Sequence, residues 1–262
     1  MTTEAHSGLD DWLVRRIEGA SPDGVAVRFL GGNSFALKNR DGTVVLIDPY
    51  LGTGDLHVLD RPETIRMTPV PFDPQDVSTL DALFVTHEHS DHRHEASQAP
   101  LLAGTDTPLY APAESVSRCR NEEAWHEDRP INANQFHTVT AGETVSVGAF
   151  DVTVAGARDP TAVNPVSYVV EHDAGTFFHA GDGRPCDVFE TVGERYDIDL
   201  GAVALGTTGR IQYPEDDLPR TVTFYNDGDE VIEIANQLRL DALLPSHYDL
   251  WRGGTRGPES PP

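Results

Sequence analysis

The 262 residues carry 19 Lys and Arg against 43 Asp and Glu, a formal net charge of -24 at pH 7. Such a surface repels nucleic acid and anionic membrane, and no apolar stretch approaches the roughly 18–20 residues a membrane span needs. Two cysteines in unrelated contexts, Cys119 and Cys186, argue against a disulfide framework and against a thiolate metal centre.

The acidic residues are spread along the chain, and Lys38 is the only lysine. Two readings compete: an acidic face for a cationic partner, and adaptation to a salty cytoplasm, where screening relieves self-repulsion. The even spread favours the second. The opening MTTEAHSGLD lacks a basic segment followed by an apolar core, so a cytoplasmic location is expected. No linker divides the chain, which suggests one domain over residues 1–262 with a disordered tail over 255–262. The oligomeric state is not legible.

In chain order, Asp10–Glu18 reads as a short amphipathic helix with Trp12, Leu13 and Ile17 on one face. Val25–Asn39 and Thr43–Leu51 read as strands joined by a turn at RDGT, where Asp-Gly tolerates positive φ. Gly52–Pro74, rich in Pro, Thr and Asp, reads as a long loop. Thr79–His87 is a buried strand, Thr107–Pro112 a short one, and Ala113–Trp125 helical. Gln135–Ala157 holds two or three strands around Gly142 and Gly148, followed by a hairpin around HDAG. Then come a helix over CDVFETVGERY, a buried strand at LGAVALG and a helix over Asp227–Leu240, with Val231, Ile234, Ala235 and Leu238 at helical spacing. DALLPSHYDLW is a last strand running into a loop. The pattern suggests two stacked mixed sheets with helices outside.

The stretch THEHSDH ends the strand at Thr86. His87 and His89, one residue apart in extended backbone, point the same way and can share a metal. Asp91 and His92 follow at a turn, where Asp91 can also cap the next helix. Imidazole and carboxylate suit zinc, manganese or iron. A metal needs ligands from elsewhere: FFHAGDG places Asp182 after an apolar strand, and ALLPSHYD places His247 after another. Asp48 of VVLIDPY has the same placement and is expected to orient a ligand histidine. His94 and His179 are expected to lie outside the ligand set.

THEHSDH with DP, HAGD and PSHYD, in that order, resembles the metallo-β-lactamase superfamily over nearly the whole chain. Within it, FLGGNSFALK, DALFVTHEHSDH, ARDPTA, FFHAGDG with VALGTTG, and PSHYDLW resemble the branch of L-ascorbate-6-phosphate lactonases. The resemblance implies a four-layer αβ/βα sandwich with His87, His89, Asp91, His92, Asp182 and His247 holding one or two divalent ions, Zn or Mn. It also implies a small-molecule lactone or related ester as substrate. One departure stands out: many members have a further histidine after the strand that ends here at VTVAGA, and this chain has Arg158 and Asp159. The first metal position is then either incomplete or completed by Asp159 or water, and a single-metal site stays open.

The residues themselves support hydrolysis by metal-activated water, with Asp91 passing a proton to the leaving group. A phosphodiesterase or nuclease of the same fold is the alternative enzyme, which the charge disfavours. A non-catalytic metal-binding protein stays open because of the departure at Asp159.

Overall fold

A computed structural model of the chain describes residues 11–53, 57–58, 61–62, 64–126, 130–206, 208–211, 218 and 220–252. The expected tail over 255–262 lies outside them. Helix α1, Trp12–Glu18, buries Val14 and Ile17. Leu13 and Ile17 pack inward as the spacing predicts, but Trp12 is 54% exposed beneath Arg16, whose guanidinium lies 5.4 Å from the ring centroid, and Val14 takes its place in the core.

Strand β1, Val25–Gly31, and β2, Ser34–Asn39, pair antiparallel. Where the alternation reads as one strand, the chain reverses through Gly31 and Gly32, with φ of 93° and 61°. A side chain at Gly31 would overlap the guanidinium of Arg66. β3, Val44–Ile47, follows the expected Asp-Gly turn, with Gly42 at φ 96°. The segment read as a loop holds short strands: β4 His57–Val58, β5 Arg61–Pro62 and β6 Thr64–Arg66. β7 is Ala82–Phe84, α2 Glu95–Thr105, β8 Leu109–Ala111, α3 Ala113–Asn121 and β9 Phe136–Thr138. The first sheet is ordered β1-β2-β3-β7-β8-β9, parallel from β3 onward.

The second sheet begins with β10 Thr144–Val147, β11 Phe150–Gly156 and the hairpin β12 Val166–His172 with β13 Gly175–His179. α4, Asp187–Arg195, crosses to β14, Leu200–Ala204. β15 Thr208–Ile211 and β16 Arg220–Thr223 form an excursion. Then α5, Gly228–Gln237, leads to β17 Ala242–Ser246, and β18 Leu250–Arg252 turns away to pair with β6. The order is β10-β11-β12-β13-β14-β17, with β13, β14 and β17 parallel.

The sheets face each other through Phe35, Ile47 and Phe84 on one side and Val152, Tyr168 and Phe177 on the other. Trp125, Leu101, Leu102 and Val116 fill the space between the first sheet and its helices. Phe178, Phe189, Ile234 and Leu238 do the same behind the second. The result is helix, sheet, sheet, helix: the expected four-layer sandwich. Strands buried on both faces read as continuous apolar runs, as VVLI and ALF do. The parallel strands β3, β7, β13, β14 and β17 all run toward one edge of the sandwich, and chemistry gathers beyond such carboxyl ends.

Candidate metal centre

Asp48 leaves β3 with a left-handed backbone, φ 47°. Its carboxylate accepts hydrogen bonds from Thr86 N at 2.8 Å and Thr86 Oγ1 at 2.7 Å, and lies 2.7 Å from His92 Nδ1. That contact turns His92 Nε2 inward, 3.2 Å from both Asp182 Oδ1 and His247 Nε2. The spacing H-x-H-x-D-H works because the chain coils after His89: the amides of His92 and Arg93 both donate to His89 O. Asp91 does not cap the following helix. The residue at the start of α2 is His94, and the Asp91 carboxylate faces the cluster, with Oδ2 3.4 Å from His247 Nε2.

His87 Nε2 lies 2.8 Å from His89 Nδ1, 3.8 Å from Asp182 Oδ2 and 3.9 Å from Asp159 Oδ2. Asp159 Oδ2 is also 3.7 Å from His89 Nδ1. Asp182 sits in the turn after β13, where Gly181 takes φ 59° and Asn33 Nδ2 donates to Asp182 Oδ1 at 3.4 Å. His247 follows β17 with φ 68°, held by its amide on Gly32 O at 2.7 Å.

The structure thus brings all six predicted residues together, in two groups. Donor atoms of His87, His89, Asp159 and Asp182 lie within 4.8 Å of one another, as do those of Asp91, His92 and His247. Asp182 reaches both, since its Oδ1 is 3.5 Å from His247 Nε2. Asp159, from the loop after β11, thus lies among the donors of the first group. His94 falls outside both groups. Its ring packs on Tyr50 at 4.7 Å, its Nδ1 meets Ser97 Oγ at 2.6 Å, and burial pushes its pKa down to about 4. His179 also lies outside: Nε2 donates to Asn33 O at 2.8 Å, and burial lowers its pKa.

Electrostatics sets the site apart from a satisfied polar core. Burial and the neighbouring His92 hold His87 well below the usual imidazole pKa. At His92 burial also disfavours charge, but Asp182 and Asp48 prevail and hold it well above. Burial favours a neutral Asp182, and His92 with His247 overcomes it, keeping the carboxyl below its ordinary range. Two pairs of imidazole nitrogens face each other at 2.8 Å and 3.2 Å, ringed by three carboxylates. Close nitrogen pairs among carboxylates, largely withdrawn from water, call for a shared cation, and this donor set fits a divalent metal ion. Thr86 and Asn33, which support the site, lie inside the stretches THEHSDH and FLGGNSFALK, but their supporting role has no local sequence signal. Tyr225, which lies against the second group, carries no local sequence signal.

A family model described as the beta-lactamase superfamily domain matches residues 43–248. The "Probable L-ascorbate-6-phosphate lactonase UlaG" of Salmonella gallinarum is 24% identical to this chain, over 95% of the chain and 77% of the relative. A protein of the same description from Escherichia fergusonii matches to the same extent. Among solved structures, the isothiocyanate hydrolase from Delia radicum gut bacteria superposes with a TM-score of 0.60 at 18% identity, covering 89% of this chain and 87% of that one. The metallo hydrolase Igni18 of Ignicoccus hospitalis does so with a TM-score of 0.57 at 16% identity, covering 86% and 82%. CmlA, a diiron beta-hydroxylase from Streptomyces venezuelae, reaches 0.59 at 15% identity, covering 86% of this chain and 45% of its own. These structural likenesses speak to the fold, and with the match over residues 43–248 they lead to one conclusion: the chain belongs to the metallo-β-lactamase superfamily.

Proposed function

We propose that the protein is a metal-dependent hydrolase of a lactone or related ester, a small molecule. The observation that carries the reading is the pair of donor groups sharing Asp182. His87, His89, Asp159 and Asp182 would hold one divalent ion, zinc or manganese. Asp91, His92 and His247, with Asp182, would hold a second. Ions there would supply Lewis acidity toward an ester carbonyl and make water acidic enough to serve as nucleophile.

The chain's own residues do the rest. Asp48 fixes the orientation of His92 by holding Nδ1, so that the other ring nitrogen faces the cluster. Asp91, buried beside His247, is placed to carry a proton to the leaving oxygen. His89, the most exposed of the six at 31% of its side chain, marks the side from which substrate enters. The similarity to the lactonases supports a cyclic ester, and the net charge of -24 weighs against a nucleic-acid substrate.

The test has two arms. Metal analysis of the purified protein should find bound divalent ion, reduced in an Asp91→Asn/His92→Ala variant; equal content in both would remove the ligand set. Hydrolysis assays on lactones, phosphodiesters and β-lactams in molar salt should show turnover of lactones. Turnover of phosphodiesters alone would replace the substrate class, and no turnover with metal bound would favour a binding protein of the same fold.

A further inference from the structure

Tyr225 lies in the connection between β16 and α5, far in sequence from the ligand motifs. Its ring stacks on the His247 imidazole, with centroids 3.7 Å apart and planes at 20°. Its hydroxyl donates to Asp91 Oδ2 at 3.2 Å, and that oxygen is itself 3.4 Å from His247 Nε2. One side chain therefore touches two members of the second group at once, while its own residue is only 9% exposed.

The surrounding chain holds it there against its own preference. Tyr225 has φ 54°, a left-handed backbone that a bulky aromatic rarely adopts. Next to it, Asn226 Nδ2 donates to Ala204 O at 3.0 Å, at the end of β14, and to Gly183 O at 2.9 Å, in the turn that carries Asp182. Gly206 N donates to Asn226 O at 2.8 Å. The contact is so close that a Cβ on Gly206 would stand 1.4 Å from Phe224 O. Residues 224–226 are clamped between a strand end and the Asp182 turn, and the clamp aims the phenol at the cluster.

We infer that Tyr225 is a positioning residue that orients the Asp91 carboxylate and the His247 imidazole toward the ion they would hold together with His92. The inference rests on the metal-dependent reading above. A hydrogen bond on Oδ2 sets the plane of the carboxylate and limits which lone pairs remain for a cation. The stacked ring sets the tilt of the imidazole. Its negative face also favours positive charge on that ring, so the contact strengthens when His247 shares a cation's charge.

Tyr225→Phe removes the hydroxyl and keeps the ring, and Tyr225→Leu removes both. In the metal-free protein, the His247 ring protons should be displaced upfield by the phenol in NMR spectra. The displacement should persist in the Phe variant and vanish in the Leu variant. Thermal unfolding of the metal-free Phe variant should match the parent. In competition with a chelator, the Phe variant should hold Co2+ at the second group about tenfold more weakly, with shifted visible absorption bands. Wild-type affinity and bands in the Phe variant would overturn the proposal. So would an unmoved His247 signal in a folded Leu variant. If the parent protein binds no metal, the metal-dependent reading fails and takes this role with it, a result distinct from an altered Co2+ spectrum. If the Leu variant does not fold, the Phe variant decides.

Discussion

At Asp48 one buried carboxylate meets three partners: Thr86 N, Thr86 Oγ1 and His92 Nδ1. It sets the loop that starts the histidine motif and the direction of the fourth residue of that motif at the same time. Asp48→Asn keeps the shape but weakens the acceptor facing His92. It should lower divalent-metal affinity by about 10- to 100-fold in chelator competition while leaving the secondary structure unchanged by circular dichroism. Unchanged affinity would mean that His92 does not depend on Asp48. The two cysteines differ just as sharply. Cys119 is fully buried, and burial pushes its thiol up to about 12, whereas Cys186 is half-buried. A thiol-disulfide reagent at pH 8 should titrate Cys186 alone in the native protein and both thiols in guanidinium. Immediate release of two equivalents from native protein would contradict the burial of Cys119.

Among the elements, α5 has the most explicit start. Asp227 accepts from the amides of Asp229 and Glu230, and Glu230 reaches back to the amide of Asp227, a full capping box. Asp227→Ala should cost about 1 kcal/mol, read as a lower denaturant midpoint with an unchanged slope. The helix then buries Val231, Ile234 and Leu238 against the second sheet, as its spacing predicts, with Ala235 half-buried. Where α4 and α5 touch, Gly193 lets them approach: a Cβ there would lie 2.3 Å from Gln237 O. Because that obstacle is backbone, Gly193→Ala should destabilise by about 1–3 kcal/mol, despite the better helix propensity of alanine. A thermal midpoint at or above the parent's would show that the helices separate at no cost.

For the molecule as a whole, the net charge of -24 acts against compaction unless ions screen it. The Debye length shortens from about 10 Å at 0.1 M to about 3 Å at 1 M salt. The thermal midpoint should therefore climb between 0.1 and 2 M KCl, with most of the gain below 1 M. A flat midpoint would remove self-repulsion as a term in stability and with it the salt-adaptation reading. The site obeys the same electrostatics locally. Asp48, Asp91, Asp159 and Asp182 converge on four imidazoles, so a divalent cation bound there would stabilise the edge of the sandwich where several loops meet rather than a single loop.

The sequence alone determined which residues meet. His87, His89, Asp91, His92, Asp182 and His247 follow apolar strands, and strand ends at one edge of a layered sheet converge by topology, so continuous apolar runs ending in ligand-type residues pointed to them, and the family resemblance joined them into one set. The hairpin at HDAG, the Asp-Gly turn and the α5 face were legible because their signals are local. Tertiary structure decided what local signals cannot carry. Two glycines at positive φ split one apparent strand at Gly31–Gly32, where Arg66 packs too close to Gly31 for any side chain there. Asp159 came within reach of His87 and His89 through the loop after β11, and Tyr225 arrived over His247 by a left-handed turn clamped to β14. These contacts depend on how distant segments pack, and spacing along the chain holds no record of that.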